Sequence, residues 1–157
     1  MKGVFLSVLI VLSGVYAVAQ TATIIKFPQL QAMMQKHNDT TYVFNFWATW
    51  CKPCVEELPG FEALNAKCSG KKIKVILISL DFKSQLNARL IPFVKEKQLK
   101  STVVLLNEPD YNSWIDKVDK SWSGGIPATL LINGKKKQHE FYEKDFTSEE
   151  LNKLLNL

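Results

Sequence analysis

An α/β domain with a mixed sheet is what this sequence predicts, on three observations. Short β-branched and aromatic runs alternate with stretches of helical spacing along the chain. The chain has 157 residues and is 46% hydrophobic, one domain's worth with enough apolar material for a core. The last two strand-like runs flank Asn133-Gly134, a two-residue hairpin signal, so an antiparallel pair closes an otherwise alternating order.

Each element follows from its residues. Phe27 to Lys36 carries Phe27, Leu30, Met33 and Met34 at helical spacing and ends at Asn38-Asp39. Thr41 to Trp47 (TYVFNFW) reads as a central strand. Helix resumes after Cys51-Lys-Pro-Cys54 and runs to about Cys68, with Ser69-Gly70 as its stop. Ile73 to Leu80 is a second buried strand. Ser84 to Leu99 has a helical pattern with Leu86, Leu90, Phe93, Val94 and Lys97 on one face, and Pro92 inside it predicts a kink or split. Thr102 to Leu106 is a third strand, and Asp110 to Lys120 a helix with Trp114, Ile115 and Val118 inward. Ser123-Gly124-Gly125 is a loop before the strand Ala128 to Ile132. Lys136 to Tyr142 returns as the hairpin's outer strand, its lysine run suiting a solvated edge. Thr147 opens the last helix with a capping box to Glu150.

The first residues read as a targeting segment. Lys2 precedes an apolar run from Val4 to Val18, and Ala17-Val18-Ala19 has the small-residue pattern of a cleavage site. Residues 1–19 are expected to be a secretory signal peptide and 20–157 one domain; an uncleaved anchor is the alternative, for which the run is short. Cleavage removes one lysine from a net charge of +5. Lysines scattered along the chain are weak evidence for nucleic acid, and no nucleic-acid partner is expected. A secreted chain works where disulfides persist, which sharpens how the cysteines read.

Cys51 and Cys54 stand where a strand meets a helix. A helix N-terminus leaves backbone N–H groups unpaired and carries partial positive charge. A Cys51 thiolate there is expected to titrate below the free value of about 8.5, with Cys54 one turn further in and shielded. That arrangement suits thiol–disulfide exchange, Cys51 attacking a substrate disulfide and Cys54 resolving the mixed disulfide. A structural zinc site wants four ligands, and there is no second CxxC and only His37 and His139. A short disulfide loop is a poor staple.

These residues resemble those of the thioredoxin-fold, extracytoplasmic TlpA/ResA-like thiol–disulfide oxidoreductases. The likeness rests on Phe46-Trp-Ala-Thr-Trp-Cys51-Lys-Pro-Cys54, on Glu57 and Pro59, and on Gly125-Ile-Pro-Ala-Thr129 before an apolar strand. It implies a thioredoxin-like fold, a central mixed sheet flanked by helices, with an αβ insertion, roughly Thr102 to Lys120, before the cis-proline. It implies that Pro127 is that cis-proline, that Ile126 pairs with substrate through its backbone, and that Glu57 tunes or relays protons for the thiols. A solvated helix carboxylate is the other reading of Glu57, and Glu56 is the more exposed of the two. Asn45 stands where many thioredoxins carry a buried Asp, as is common in the TlpA-like branch.

Trp50 precedes Cys51 and is expected to cover it and line the substrate site, whereas Trp47 belongs to the core. Trp122 lines the groove or simply packs. Cys68 is a buried free thiol or half of a regulatory or intermolecular disulfide. The resemblance implies a monomeric reductant of disulfide-containing protein clients, fed by a membrane electron donor and using no cofactor or metal; cytochrome c maturation is the family's best-known use. An oxidant or isomerase, a thiol peroxidase and a metal chaperone of the same fold are the alternatives. The single arginine, Arg89, and the CKPC spacing argue against the last two.

Overall fold

The structure is a computed structural model that describes residues 21–157. The expected signal peptide therefore lies outside the described residues. Six strands form one sheet: β1 (Thr23–Ile25), β2 (Thr41–Trp47), β3 (Ile73–Ser79), β4 (Thr102–Leu106), β5 (Ala128–Asn133) and β6 (Gln138–Tyr142). Their order across the sheet is β1-β4-β3-β2-β5-β6. The first four run parallel, and β5 and β6 are antiparallel to their neighbours. The helices are α1 (Phe27–Met34), α2 (Lys52–Lys67), α3 (Ile91–Glu96), α4 (Ile115–Val118) and α5 (Ser148–Leu154).

Every residue of β2 is buried, because both faces of the sheet are covered. The side-chain alternation of a strand splits it cleanly. Val43 and Trp47 join the core under α2 and α3, with Leu58, Phe61, Leu90 and Val94. Tyr42, Phe44 and Phe46 join the opposite core with Leu30, Trp114, Val118 and Trp122. Asn45 shares the α2 face, one polar side chain among apolar ones. α2 runs unbroken through Pro59.

Four details differ from the sequence reading. β1 is an additional strand, too short for a pattern, and it is fixed by pairing Thr23 with Val104 rather than by its own residues. Between β3 and β4 the helix is split, as expected from Pro92, and the difference there is the place of Lys97. A short 3-10 turn is followed by a wide π turn in which Ile91 N donates to the Leu86 carbonyl, and α3 starts there because Pro92 has no N–H to give. Leu90 and Val94 point inward as expected, but Lys97 is exposed. The Asp110–Lys120 stretch is not one helix but a 3-10 turn and the four-residue α4, interrupted at Trp114, whose φ of −138° leaves the helical region while its ring fills the core. Finally, Asn133 pairs with Gln138, so the hairpin loop is Gly134 to Lys137 rather than two residues. Gly134 is needed there for close approach, since a Cβ would overlap the Lys36 carbonyl and come within 2.9 Å of His37 Cα.

The lysines that look scattered along the sequence gather in space. Lys71, Lys72, Lys135 and Lys136 surround Asp39 at the end of the sheet where the parallel strands begin, and Lys36, Lys71 and Lys74 line a neighbouring cleft. The cysteine pair lies at the other end, where those strands finish.

Candidate active site

β2 ends at Trp47, and the chain turns through Ala48-Thr49-Trp50 into α2. The turn is closed by Cys51 N donating to the Ala48 carbonyl at 3.1 Å. Cys51 is the N-cap of α2, with an extended backbone, and its Sγ accepts from Cys54 N at 3.4 Å. This is the free N–H of a helix start put to use. Cys51 and Cys54 are joined as a disulfide, their Cα atoms 5.3 Å apart. Cys51 is 6% exposed and Cys54 wholly buried, so of the two only Cys51 keeps any exposed surface.

The loop before β5 closes the site from the side. The Ile126–Pro127 peptide bond is cis. The Ile126 carbonyl lies 3.8 Å from Cys51 Sγ, a packing contact, since a disulfide sulfur has no proton to donate. Ile126 is half-buried and Pro127 buried. Trp122 braces this loop, its indole Nε1 donating to the Gly125 carbonyl at 2.8 Å, and Glu143 accepts from Ser123 N and Gly125 N at 2.9 and 2.8 Å. Trp122 is 4% exposed, so it packs and does not line an open groove.

Glu57 is not a solvated helix carboxylate. It is 5% exposed, one helical turn beyond Cys54. Asn45 Nδ2 donates to its Oε1 at 2.7 Å, and Phe146 N, just before α5, donates to its Oε2 at 2.8 Å. Burial raises its pKa to about 7, outweighing those two donors, and Asp145 adds repulsion. A cleft of 240 Å³ lined by Pro53, Glu56, Glu57, Asp145 and Phe146 leads in from solvent. Asn45 Nδ2 also reaches Thr129 Oγ1 at 3.3 Å, while its Oδ1 has no partner.

A second buried carboxylate, Asp81, was missed by the sequence reading. It accepts from Thr49 N at 3.1 Å, Thr49 Oγ1 at 2.6 Å and Ser79 Oγ at 2.8 Å. It thereby ties the Cys51 turn to the end of β3. The available signal was an acidic residue directly after an apolar strand, a place that supplies chemistry in α/β sheets.

Residues 21–138 match the AhpC/TSA family. The chain belongs to the AhpC/TSA family. It is similar to the thiol-disulfide oxidoreductase ResA of Bacillus cereus, 32% identical over 111 residues, covering 68% of this chain and 57% of that protein. It is also similar to the sporulation thiol-disulfide oxidoreductase A of Bacillus subtilis, 25% identical over 93 residues, covering 59% and 53%. The match thus spans a little over half the length of these relatives. Among solved structures, StoA from Bacillus subtilis superposes with a TM-score of 0.60 at 22% identity, covering 76% of this chain and 84% of that one. A thiol:disulfide interchange protein from Chlorobium tepidum gives 0.63 at 18%, covering 80% and 82%. The fold is thioredoxin-like.

In this AhpC/TSA-family chain the expected residues fall in two groups. Cys51, Cys54 and the Ile126 carbonyl come together, and Glu57 is buried one helical turn beyond Cys54. Trp50 sits on the turn beside them and is 50% exposed, and Glu56 is exposed. Cys68 is a free thiol at the far end of α2, 3% exposed. His139 pairs with Asp119 at 2.9 Å on the surface. Among the described residues no group of three His, Cys, Asp or Glu is placed to hold a metal ion, and no helix is long and apolar enough to cross a membrane.

Proposed function

We propose that this chain is an extracytoplasmic thiol–disulfide oxidoreductase that works through the Cys51–Cys54 pair. Residues 1–19 are its signal peptide, and residues 20–157 act as a monomer on disulfide-containing protein clients. One observation carries this reading. The less covered of two cysteines caps a helix N-terminus, its disulfide partner is buried behind it, and a cis-proline loop presents a backbone carbonyl beside it.

The reaction runs from the reduced pair. The Cys51 thiolate attacks one sulfur of a client disulfide, forming a mixed disulfide and releasing the client's other sulfur as a thiolate. Cys54 then loses its proton and attacks Cys51 Sγ. The client's second thiol leaves, and two electrons have passed to the client as the Cys51–Cys54 disulfide forms. Glu57 takes part in moving the Cys54 proton, for which a carboxyl that titrates near 7 is suited. A dithiol donor at the membrane must then reduce the pair again. Likeness to thiol-disulfide oxidoreductases favours this chemistry, and the reductant direction rests on the TlpA/ResA-like resemblance.

Two experiments test it. Cys54→Ser should accumulate mixed disulfides through Cys51, and Cys51→Ser should not; equal trapping would reverse the roles of the two cysteines. Thiol trapping across a redox buffer gives the direction. A potential near about −270 mV fits a reductant, and one toward about −120 mV makes the protein an oxidant.

A further inference from the structure

Four large hydrophobic side chains among the described residues are exposed, and three of them share one end of the molecule: Trp50, Phe82 and Tyr111 at 50%, 62% and 40% exposure. The fourth, Ile24, lies on the edge strand β1. Trp50 follows β2, Phe82 follows β3 and Tyr111 follows β4, and these strands are neighbours in the sheet. Phe82 and Tyr111 line one small cleft of 70 Å³ together with Leu80, Leu106 and Pro109. Phe82 directly follows Asp81, whose carboxylate holds Thr49, and Trp50 directly follows Thr49. The loops that carry Trp50 and Phe82 are therefore bonded to one another at the Cys51 turn, and Tyr111 adjoins Phe82 only across the small cleft. Exposed rings gathered in one place mark an interaction surface more often than chance exposure does.

The sheet order sets their relation to the reacting sulfur. Across the β5-β2-β3-β4 row, the cis-proline loop enters β5, Cys51 stands beyond β2, Phe82 beyond β3 and Tyr111 beyond β4. From its basis in the proposed exchange at Cys51, we infer that this aromatic row is a docking surface for the client. The client is a polypeptide segment with a bulky apolar side chain near its disulfide. Adjacent strands are about 4.8 Å apart and an extended segment advances about 3.3 Å per residue. A client whose cysteine meets Cys51 and whose chain crosses the strand ends away from the Ile126 loop thus brings the residue two or three positions away over Phe82 and Tyr111. The opposite end of the molecule, with its lysines around Asp39, offers charge and, among the described residues, no exposed large hydrophobic side chain.

The test uses the reduced full-length protein and synthetic peptides, each carrying one cysteine as a mixed disulfide with thionitrobenzoate. Cys51 attacks the peptide sulfur, coloured thionitrobenzoate leaves, and Cys54 releases the peptide thiol in the second step. Peptides carry Leu or Ser at the second and third positions on either side of the cysteine. The wild type should react with the Leu peptides about tenfold faster on one side, as partial burial of one apolar side chain predicts. Phe82→Ser and Tyr111→Ser should bring the Leu-to-Ser ratio close to one, and Phe82→Leu should keep it. The ratio cancels any general loss of folded or reactive protein. A wild type without preference, or serine variants that keep it, overturns the docking surface. If the wild type fails to exchange even with a small aromatic disulfide, the proposed chemistry at Cys51 itself falls.

Discussion

α2 carries a cysteine at each end, and the two ends make opposite use of it. At the N-terminus Cys51 meets the free N–H groups of the first turn, accepts from Cys54 N, and touches solvent beside the Ile126 carbonyl. At the C-terminus Cys68 is the capping residue, where the chain presents carbonyls instead. Its own N–H goes to the Leu64 carbonyl and its carbonyl accepts from Lys71 N. The Cys68 thiol is buried, and burial pushes its pKa up, with Lys71 and Lys67 pulling weakly the other way. A negative sulfur is favoured at the first end by position and disfavoured at the second by burial. The residue type is the same and both side chains are nearly covered, at 6% and 3% exposure, so position on the helix decides the chemistry.

The widest separation should appear in alkylation of the reduced protein. Cys51 is expected to react with iodoacetamide about a thousandfold faster than Cys68 at pH 7, because its thiolate fraction is the larger. Peptide mapping after timed quenching measures this. Cys51→Ser should abolish disulfide exchange, whereas Cys68→Ser should leave its rate within about twofold. Comparable labelling of the two cysteines would break the comparison.

One turn inside the reactive end, Glu57 gives the next largest effect. Its carboxyl titrates near 7 in the folded chain against a reference of 4.5. Between those values the folded state holds a proton that the unfolded chain has lost. Stability must therefore fall as pH rises from about 4.5 to about 7 and stay level above. The fall is at most about 3 kcal/mol, from the size of the shift. Glu57→Gln should remove it, since a neutral amide can still accept from Phe146 N, and Asn45 can turn its unpartnered Oδ1 toward the new NH2. Urea denaturation of both proteins at pH 4 and pH 8 measures the difference. Parallel curves would mean that Glu57 does not titrate between those values. The same substitution should flatten the pH profile of exchange if the carboxyl serves Cys54.

How much of this was legible in the sequence follows physical lines. β2 and β4 fall at the expected bounds because dense β-branched and aromatic runs buried on both faces leave little choice of register. The Thr147–Glu150 capping box is local chemistry and forms as read. The cysteine pair at the helix start was legible from its spacing, and the cis bond at Pro127 from the family resemblance. Elements set by distant contacts were not legible. β1 needs Val104 as its partner, α4 gives way to the packing of Trp114, and the hairpin loop packs on the turn before β2, where Lys135 N donates to the Asn38 carbonyl. Glu57 could not be told from a surface carboxylate until Asn45 and Phe146 closed over it. Asp81 gave no motif of its own, and its role appears only once β3 lies beside β2 and Thr49 comes within reach.

The inert end of α2 supplies the smallest effect and the sharpest control. The chain leaves Cys68 through Ser69-Gly70, and Gly70 has a φ of +75°. A Cβ there meets nothing within 4 Å, so Gly70→Ala is penalised by backbone conformation alone. The expected loss is about 1 kcal/mol, read as a lower urea midpoint with an unchanged slope. Gly70→Asn should recover part of it, because Asn tolerates the left-handed region better than Ala. Neither variant should move the reduction potential of the Cys51–Cys54 pair, since the helix dipole acts only within the nearest turn. A shifted potential in Gly70→Ala would mean that the two ends of α2 are coupled along its length, and the separation drawn between Cys51 and Cys68 would fail.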